Sequence, residues 1–100
     1  MKRVEVEGLP EDPLAAAGLF HQNWLMPIER ALDQGDVLIV MPAADHTHEE
    51  WRQAAAAMLA RKAAPRRVNI VAGAGTSVDS IETFLAQAPG VTGHYLQAAP

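Results

Sequence analysis

The segment at residues 36–41, DVLIVM, places five consecutive apolar side chains directly after an aspartate. Strands that are covered on both faces have this pattern, and such strands are typical of parallel sheets flanked by helices. Residues 68–72, VNIVA, form a second run of the same kind, and the turn GAG follows at residues 73–75. A long helical stretch separates the two runs, so the sequence predicts a βαβ arrangement with a parallel sheet.

The flanking sequence continues the alternation of strands and helices. Residues 2–7, KRVEVE, alternate polar and apolar side chains as a strand with one polar face does, and residues 94–97 form a last short strand. Helical patterns fill the three intervals between the strands, at residues 13–32, about 45–64 and about 77–88. The order β-α-β-α-β-α-β predicts a single α/β domain over residues 1–100, with a four-stranded parallel sheet and crossover helices.

Local signals refine the helices. Pro27 lacks a backbone donor, so we expect it to kink the first helical stretch or to split it into two helices. Glu49 and Glu50 suit the first turn of the second stretch, where the helix dipole favours negative charge. Ser77 or Asp79 is expected to cap the third helix.

Composition restricts the classes of function. The chain has 100 residues and a net charge of −4, which argues against a nucleic-acid binder that relies on overall positive charge. It has no cysteine, so disulfides and thiolate chemistry are excluded, and a cytoplasmic location is expected. No apolar run approaches the length of about 18 residues that predicts a membrane span. Of the 49 hydrophobic residues 19 are alanine, so the core is thin and a second subunit is expected to complete it.

Three clusters could carry chemistry. Residues 73–78, GAGTSV, follow a strand but lack the third glycine of a dinucleotide-binding turn, so a flexible turn is the favoured interpretation. Asp45, His46 and His48 could bind a metal or a small ligand at the carboxyl end of the second strand, although a solvated helix start is the simpler interpretation. The third cluster is basic, and ordinary surface charge is favoured over phosphate binding there; it contains Arg61, Lys62, Arg66 and Arg67.

The second long helix is apolar nearly all round. It carries Trp51, four consecutive alanines at residues 54–57, and Met58. Only one sheet face is available within the chain, so the other side of this helix should contact another helix or another subunit. If a second subunit covers it, we expect the contact in the region of Trp51, Ala54, Ala55 and Met58.

Two short motifs resemble the carboxyl-terminal half of the short-chain dehydrogenases/reductases. Residues 67–73, RVNIVAG, are similar to the family's (I/R)-V-N-x-V-A-P-G strand, and residues 91–96, VTGHYL, are similar to its (V/I)-T-G-x-x-L final strand. A third similarity is that of residues 59–61, LAR, to the end of the family's catalytic helix. The resemblance implies a Rossmann-like fold with a strand order of 1-2-3-4. It also implies that the first two main helices lie on one face, that the last helix lies on the other, and that the protein dimerises through those two helices.

The residues that the family uses for catalysis have no equivalents here. The resemblance places Asp45 at the family's tyrosine position and Glu49 at its lysine position, and a glutamate would raise the pKa of a neighbouring tyrosine instead of lowering it. The expected serine loop is residues 42–44, PAA, with no hydroxyl group. The family's dinucleotide-binding βαβ unit would precede the strand with which residues 1–100 begin.

The sequence thus predicts a catalytically inactive domain that acts as a homodimeric structural or interaction module, with no catalytic residue, cofactor or metal ligand assigned. A heteromeric partner, such as a full-length dehydrogenase bound through the same helices, is a further possibility. The alternative is a ligand-binding or metal-binding protein, or an enzyme, with a repurposed site at Asp45, His46 and His48. Nucleic acid and membranes are not expected as partners.

Overall fold

A computed structural model describes all 100 residues, and its four strands form one parallel sheet. The strands lie in the order β1 (Lys2–Glu5), β2 (Val37–Met41), β3 (Val68–Ala72) and β4 (Tyr95–Gln97). All five residues of β2 and all five of β3 are buried, as expected for strands covered on both faces. The predicted fold class and strand order are confirmed.

Four helices and a 3₁₀ turn connect the strands. They are α1 (Pro13–Asn23), α2 (Leu25–Leu32), the 3₁₀ turn at His46–His48, α3 (Glu49–Ala63) and α4 (Gly75–Ala86). None of these helices is long and apolar enough to cross a membrane.

The first helical stretch is split into α1 and α2, as the position of Pro27 predicts. The break falls at Trp24, three residues before the proline. Pro27 has no N–H to donate to the carbonyl one turn earlier, and its ring would clash with that carbonyl in a continuous helix. Asp12 accepts a hydrogen bond from the Ala15 amide, 2.9 Å away, and caps the start of α1.

Two separate cores cover the two faces of the sheet. The larger core joins α1, α2 and α3 to one face of β2 and β3, and includes Phe20, Ile28 and Leu59. The smaller core packs α4 on the other face, through Val78 and Leu85. The expected placement of the helices is therefore confirmed.

The last crossover has the opposite hand to the first two. All strands are parallel and their order advances in one direction, so the face on which a connecting helix lies determines the hand of its crossover. The helices α1, α2 and α3 lie on one face and α4 lies on the other. If the first two crossovers follow the usual right-handed rule, the crossover through α4 is left-handed.

The predicted start of α4 is wrong. Neither Ser77 nor Asp79 caps this helix; it begins at Gly75, with Ala74 as the residue before it and no side-chain cap. Gly73 and Gly75 both have positive φ angles and turn the chain tightly, which lets the helix start early. A Cβ atom on Gly73 would lie 2.7 Å from the Ala98 Cβ, so this turn is fixed by packing against the last residues of the chain.

Candidate functional site

Asp45 begins the 3₁₀ turn at the carboxyl end of β2. Its Oδ1 accepts hydrogen bonds from the Thr47 hydroxyl and from the Thr47 amide, the latter at 3.0 Å. These bonds, the hydroxyl first, hold the pKa of the Asp45 carboxyl below its usual range. The carboxylate therefore stays ionised and serves as the cap of the turn.

His48 is buried and uses both ring nitrogens within the chain. Its Nε2 lies 2.9 Å from the Glu11 carbonyl oxygen, and Trp51 Nε1 donates to its Nδ1 at 3.1 Å. Since a carbonyl only accepts and an indole N–H only donates, this geometry assigns the imidazole proton to Nε2. His48 ties the loop after β1 to the start of α3.

The three residues predicted as a possible ligand site do not form one cluster. His46 is exposed, whereas His48 is buried and Asp45 is bonded to Thr47. No three His, Asp or Glu side chains in the chain lie close enough together to hold a metal ion. Glu49, at the family's lysine position, accepts a hydrogen bond from Gln97 Nε2 at 3.0 Å.

Arg52 lies at this edge of the sheet and was not predicted from the sequence as a site residue. Its side chain lies on the inner side of α3 and only 3% of the residue is exposed. Nη1 donates to the Pro42 carbonyl oxygen at 2.9 Å and to the Tyr95 hydroxyl at 3.2 Å. The guanidinium carbon lies 5.6 Å from the centre of the Trp51 ring and 5.8 Å from that of the Tyr95 ring.

No carboxylate neutralises Arg52. The four ion pairs of the chain involve Arg3, Lys62 and Arg67 as the cations. The Nε atom of Arg52 is sealed from solvent and has no hydrogen-bond partner. The helical spacing of the sequence is a signal that could have identified Arg52 as buried. Arg52 is spaced so that it shares the inner face of α3 with Ala55, Ala56 and Leu59.

Arg52 lines an open cleft at the carboxyl ends of β1 and β2. The cleft has a volume of about 450 Å³. It is lined by the loop after β1, the loop after β2 and the start of α3: Leu9, Pro10, Glu11, Pro42, Ala43, Ala44, Asp45, His48 and Arg52. We call it the Arg52 cleft. Open α/β sheets bind ligands at this edge, beyond the carboxyl ends of their strands.

The motifs that resemble the dehydrogenases meet at the opposite, amino-terminal edge of the sheet. Arg67 donates to Asp36 from its backbone amide at 2.8 Å and from Nε at 3.0 Å. Its Nη1 also donates to the Leu85 and Ala88 carbonyl oxygens, at 3.0 and 2.9 Å. One partly buried side chain thereby joins the start of β2 and β3 to the end of α4.

Asn69 and Thr92 complete the same network. Asn69 donates from Nδ2 to the Val91 carbonyl at 3.1 Å and accepts from the His94 amide at 3.0 Å. Thr92 Oγ1 accepts a hydrogen bond from the Val68 amide at 3.0 Å. We call Asp36, Arg67, Asn69 and Thr92 the amino-edge clamp; its role is structural, because its hydrogen bonds join segments of the chain.

Gly93, next to the clamp, brings the same loop against α3. It has a φ angle of +76°, and a Cβ atom there would lie 3.1 Å from the Ala60 Cβ. Glycine suits this position because the backbone is left-handed and leaves little room for a side chain.

The other two predicted clusters have structural roles or lie on the surface. The Gly73 amide donates to the Met41 carbonyl at 3.0 Å, so it is not free to bind a phosphate. In the basic cluster, Lys62 pairs with Glu29 at 3.0 Å and Arg67 belongs to the clamp, whereas Arg61 and Arg66 are exposed.

The outward sides of α1 and α3 carry exposed small and apolar residues. Leu14 is 83% exposed and Met58 is 52% exposed. Gly18 in α1 and Ala54 in α3 are also exposed, and each lies about one helical turn from the apolar residue of its helix. We call these four residues the outer helix face. The two helices are neighbours, since the Phe20 ring of α1 lies 5.5 Å from the Trp51 ring of α3.

Two of the residues predicted for the dimer interface belong largely to the chain's own core. Ala55 is only 1% exposed, and Trp51 is partly buried against Phe20. The apolar inner side of α3 is therefore already covered by α1 and the sheet. Ala54 and Met58 are the members of the predicted set that remain exposed.

Comparison with known proteins identifies one family. The model of the short chain dehydrogenase-like protein family matches residues 4–98. No curated protein and no solved structure matches the chain.

Proposed function

Since the chain belongs to the short chain dehydrogenase-like protein family, we propose that it keeps the family's fold as a single domain and acts as a catalytically inactive homodimeric module. The proposal assigns the structural or interaction role to the outer helix face and places the protein in the cytoplasm. The observation that carries it is the exposure of large apolar side chains, Leu14 and Met58, on two neighbouring helices.

Three features at the carboxyl edge support the absence of dehydrogenase chemistry. Asp45 and Glu49 stand where the family's tyrosine and lysine are expected, and the loop after β2 offers prolyl and alanyl groups where a serine is expected. Both carboxylates are engaged locally, with Thr47 and Gln97. An acidic pair supplies neither the phenol that transfers a proton nor the cation that lowers the pKa of that phenol.

Burial energetics support association through the outer helix face. A fully buried leucine or methionine contributes about 1.5–3 kcal/mol relative to an exposed one. A twofold interface contains each contributing residue twice. The small residues Gly18 and Ala54 allow helices of two subunits to approach closely. Leu14 and Met58 can then be buried well enough to contribute this free energy.

Sedimentation equilibrium at micromolar concentrations tests the dimer. We expect twice the mass of the chain for the natural protein and a monomer for Met58→Asp, with the dissociation constant raised roughly a hundredfold or more because a charge enters the interface twice. Phe84→Asp is the matched control: Phe84 lies on α4, on the other side of the sheet, and is 54% exposed. It should remain dimeric.

Two outcomes would contradict the proposal. One is a natural chain that stays monomeric at these concentrations, which would favour a heteromeric partner instead. The other is a dimer that Phe84→Asp disrupts and Met58→Asp does not, since association would then use the α4 side of the molecule. Circular dichroism of each variant establishes that it is folded before its mass is compared.

A further inference from the structure

A buried cation without a counter-ion distinguishes Arg52 from the other arginines of the chain. Arg3 and Arg67 pair with carboxylates, and Arg30, Arg61 and Arg66 are exposed. Burying a charged group without a partner is costly, and proteins normally pair such groups. The two carboxylates that line the cleft, those of Glu11 and Asp45, form no ion pair with Arg52.

The guanidinium also retains unused donors. It has five N–H groups, and in this chain only Nη1 donates, to two neutral oxygens. Nε has no partner and is sealed from solvent. Nη2 also makes no hydrogen bond within the chain and is not among the sealed atoms, and Arg52 is one of the residues that line the cleft.

We propose that the Arg52 cleft binds a small organic monocarboxylate, whose carboxylate pairs with the Arg52 guanidinium. A planar guanidinium suits a carboxylate geometrically, and a charge-assisted hydrogen bond is strongest where water is excluded. The cleft volume of about 450 Å³ lies within the range of small-molecule sites.

The lining of the cleft selects among anions. Leu9, Pro10, Pro42, Ala43 and Ala44 line part of the cleft, so a small apolar group of the ligand has side chains to contact. Glu11 and Asp45 line the same cleft, and their negative charges repel an anion at a cost that grows with its charge. A dianionic phosphate is therefore disfavoured relative to a single carboxylate.

This site is independent of the proposed dimer. Its residues lie at the carboxyl ends of β1 and β2 and at the start of α3, and it includes no member of the outer helix face. Ligand binding and oligomeric mass can thus succeed or fail separately in experiment.

Benzoate is a suitable probe, because it joins one carboxylate to an apolar ring. We expect saturable chemical-shift changes in the ¹H–¹⁵N spectrum of the natural protein, at the Arg52 Nε–H and at the neighbouring Trp51 indole N–H. Benzamide, which is neutral and of the same shape, should give none of these changes, and inorganic phosphate should bind more weakly than benzoate.

Three variants locate the interaction. Arg52→Met should weaken benzoate binding roughly tenfold or more, as the loss of a charge-assisted hydrogen bond requires. Arg66→Met, which removes an exposed arginine, should leave it unchanged. Asp45→Asn keeps the cap of the turn but removes a repelling charge, so it should tighten binding.

Several results would overturn the proposal. They are an unperturbed Arg52 Nε–H at saturating benzoate, equal binding by benzamide or by phosphate, and equal binding by a folded Arg52→Met variant. Arg52→Lys serves as a second test if Arg52→Met is poorly folded, because it keeps the charge but loses the planar donor set, and it should bind more weakly than the natural protein.

Discussion

The polar side chains are fully paired at one edge of the sheet and incompletely paired at the other. At the amino-terminal edge the Arg67 guanidinium donates to the Asp36 carboxylate and to the Leu85 and Ala88 carbonyls. The Asn69 side-chain amide both donates and accepts a hydrogen bond. At the carboxyl-terminal edge the more deeply buried Arg52 has two neutral oxygens and two aromatic rings as neighbours, no carboxylate, and an Nε atom without a partner. Both arginines are held by the same small α/β scaffold.

The difference separates what holds the fold from what is available for binding. A buried donor that is paired stabilises the native state, whereas one left unpaired lowers its stability. Three residues of the amino-edge clamp, Arg67, Asn69 and Thr92, belong to the motifs that resemble the dehydrogenases, and their hydrogen bonds hold the fold together. The carboxyl edge, where the resemblance implies the family's catalytic residues, carries the Arg52 cleft.

Replacement of Arg67 should give the largest effect. Arg67→Ala leaves the Asp36 carboxylate without its partner and the end of α4 without two donors, so we expect a loss of about 3 kcal/mol or more in the free energy of unfolding. Urea denaturation measures this loss. The matched control Arg66→Ala removes an exposed neighbour and should change stability by less than about 0.5 kcal/mol.

The clamp would lose its assigned role if Arg67→Ala and Arg66→Ala destabilised the protein equally.

Urea denaturation of an Arg52 variant gives the corresponding free energy of unfolding for the carboxyl-terminal edge. Arg52→Met replaces an unpaired buried cation by an apolar side chain of similar length, so the free energy of unfolding should stay the same or rise, by about 1 kcal/mol. A loss as large as that of Arg67→Ala would mean that Arg52 is a structural residue and not a binding residue.

The smallest effect is the pH dependence that the clamp confers. Hydrogen bonds from Arg67, the backbone amide first, lower the pKa of Asp36 below its ordinary value of 3.8. The folded state then binds fewer protons than the unfolded state near that pH. The stabilisation is fully present above pH 3.8 and declines as the pH falls through this value towards the folded pKa.

Urea denaturation at a series of pH values checks this dependence. Asp36→Asn should flatten the acid side of the stability profile, while Asp33→Asn, at an exposed position without an ion pair, should leave its shape unchanged. An unaltered profile in Asp36→Asn would show that other carboxyl groups cause the acid sensitivity.

Much of the fold could be predicted from local sequence. The continuous apolar runs of β2 and β3 identify buried strands, and Pro27 identifies the break between α1 and α2. The start of α4 could not be predicted by the same means. The helix begins without a side-chain cap, and the turn before it packs at Gly73 against Ala98, which is 25 positions further along the chain.

The candidate site was less predictable, since its hydrogen bonds join distant segments. His48 is oriented by the Glu11 carbonyl, 37 residues away, and Arg52 by the Tyr95 hydroxyl, 43 residues away. The sequence drew attention to the polar cluster of Asp45, His46 and His48, but local capping and burial use two of these three side chains. Arg52, which lines the cleft with an unpaired charge, precedes the apolar stretch at residues 54–60 of the same helix.

We propose that the chain uses the family's fold for association and not for redox chemistry. The mass of the natural protein beside those of Met58→Asp and Phe84→Asp, measured by sedimentation equilibrium, tests this proposal most directly. We expect a dimer, a monomer and a dimer, in that order. A monomeric natural protein, or a dimer that Met58→Asp leaves intact, would contradict it.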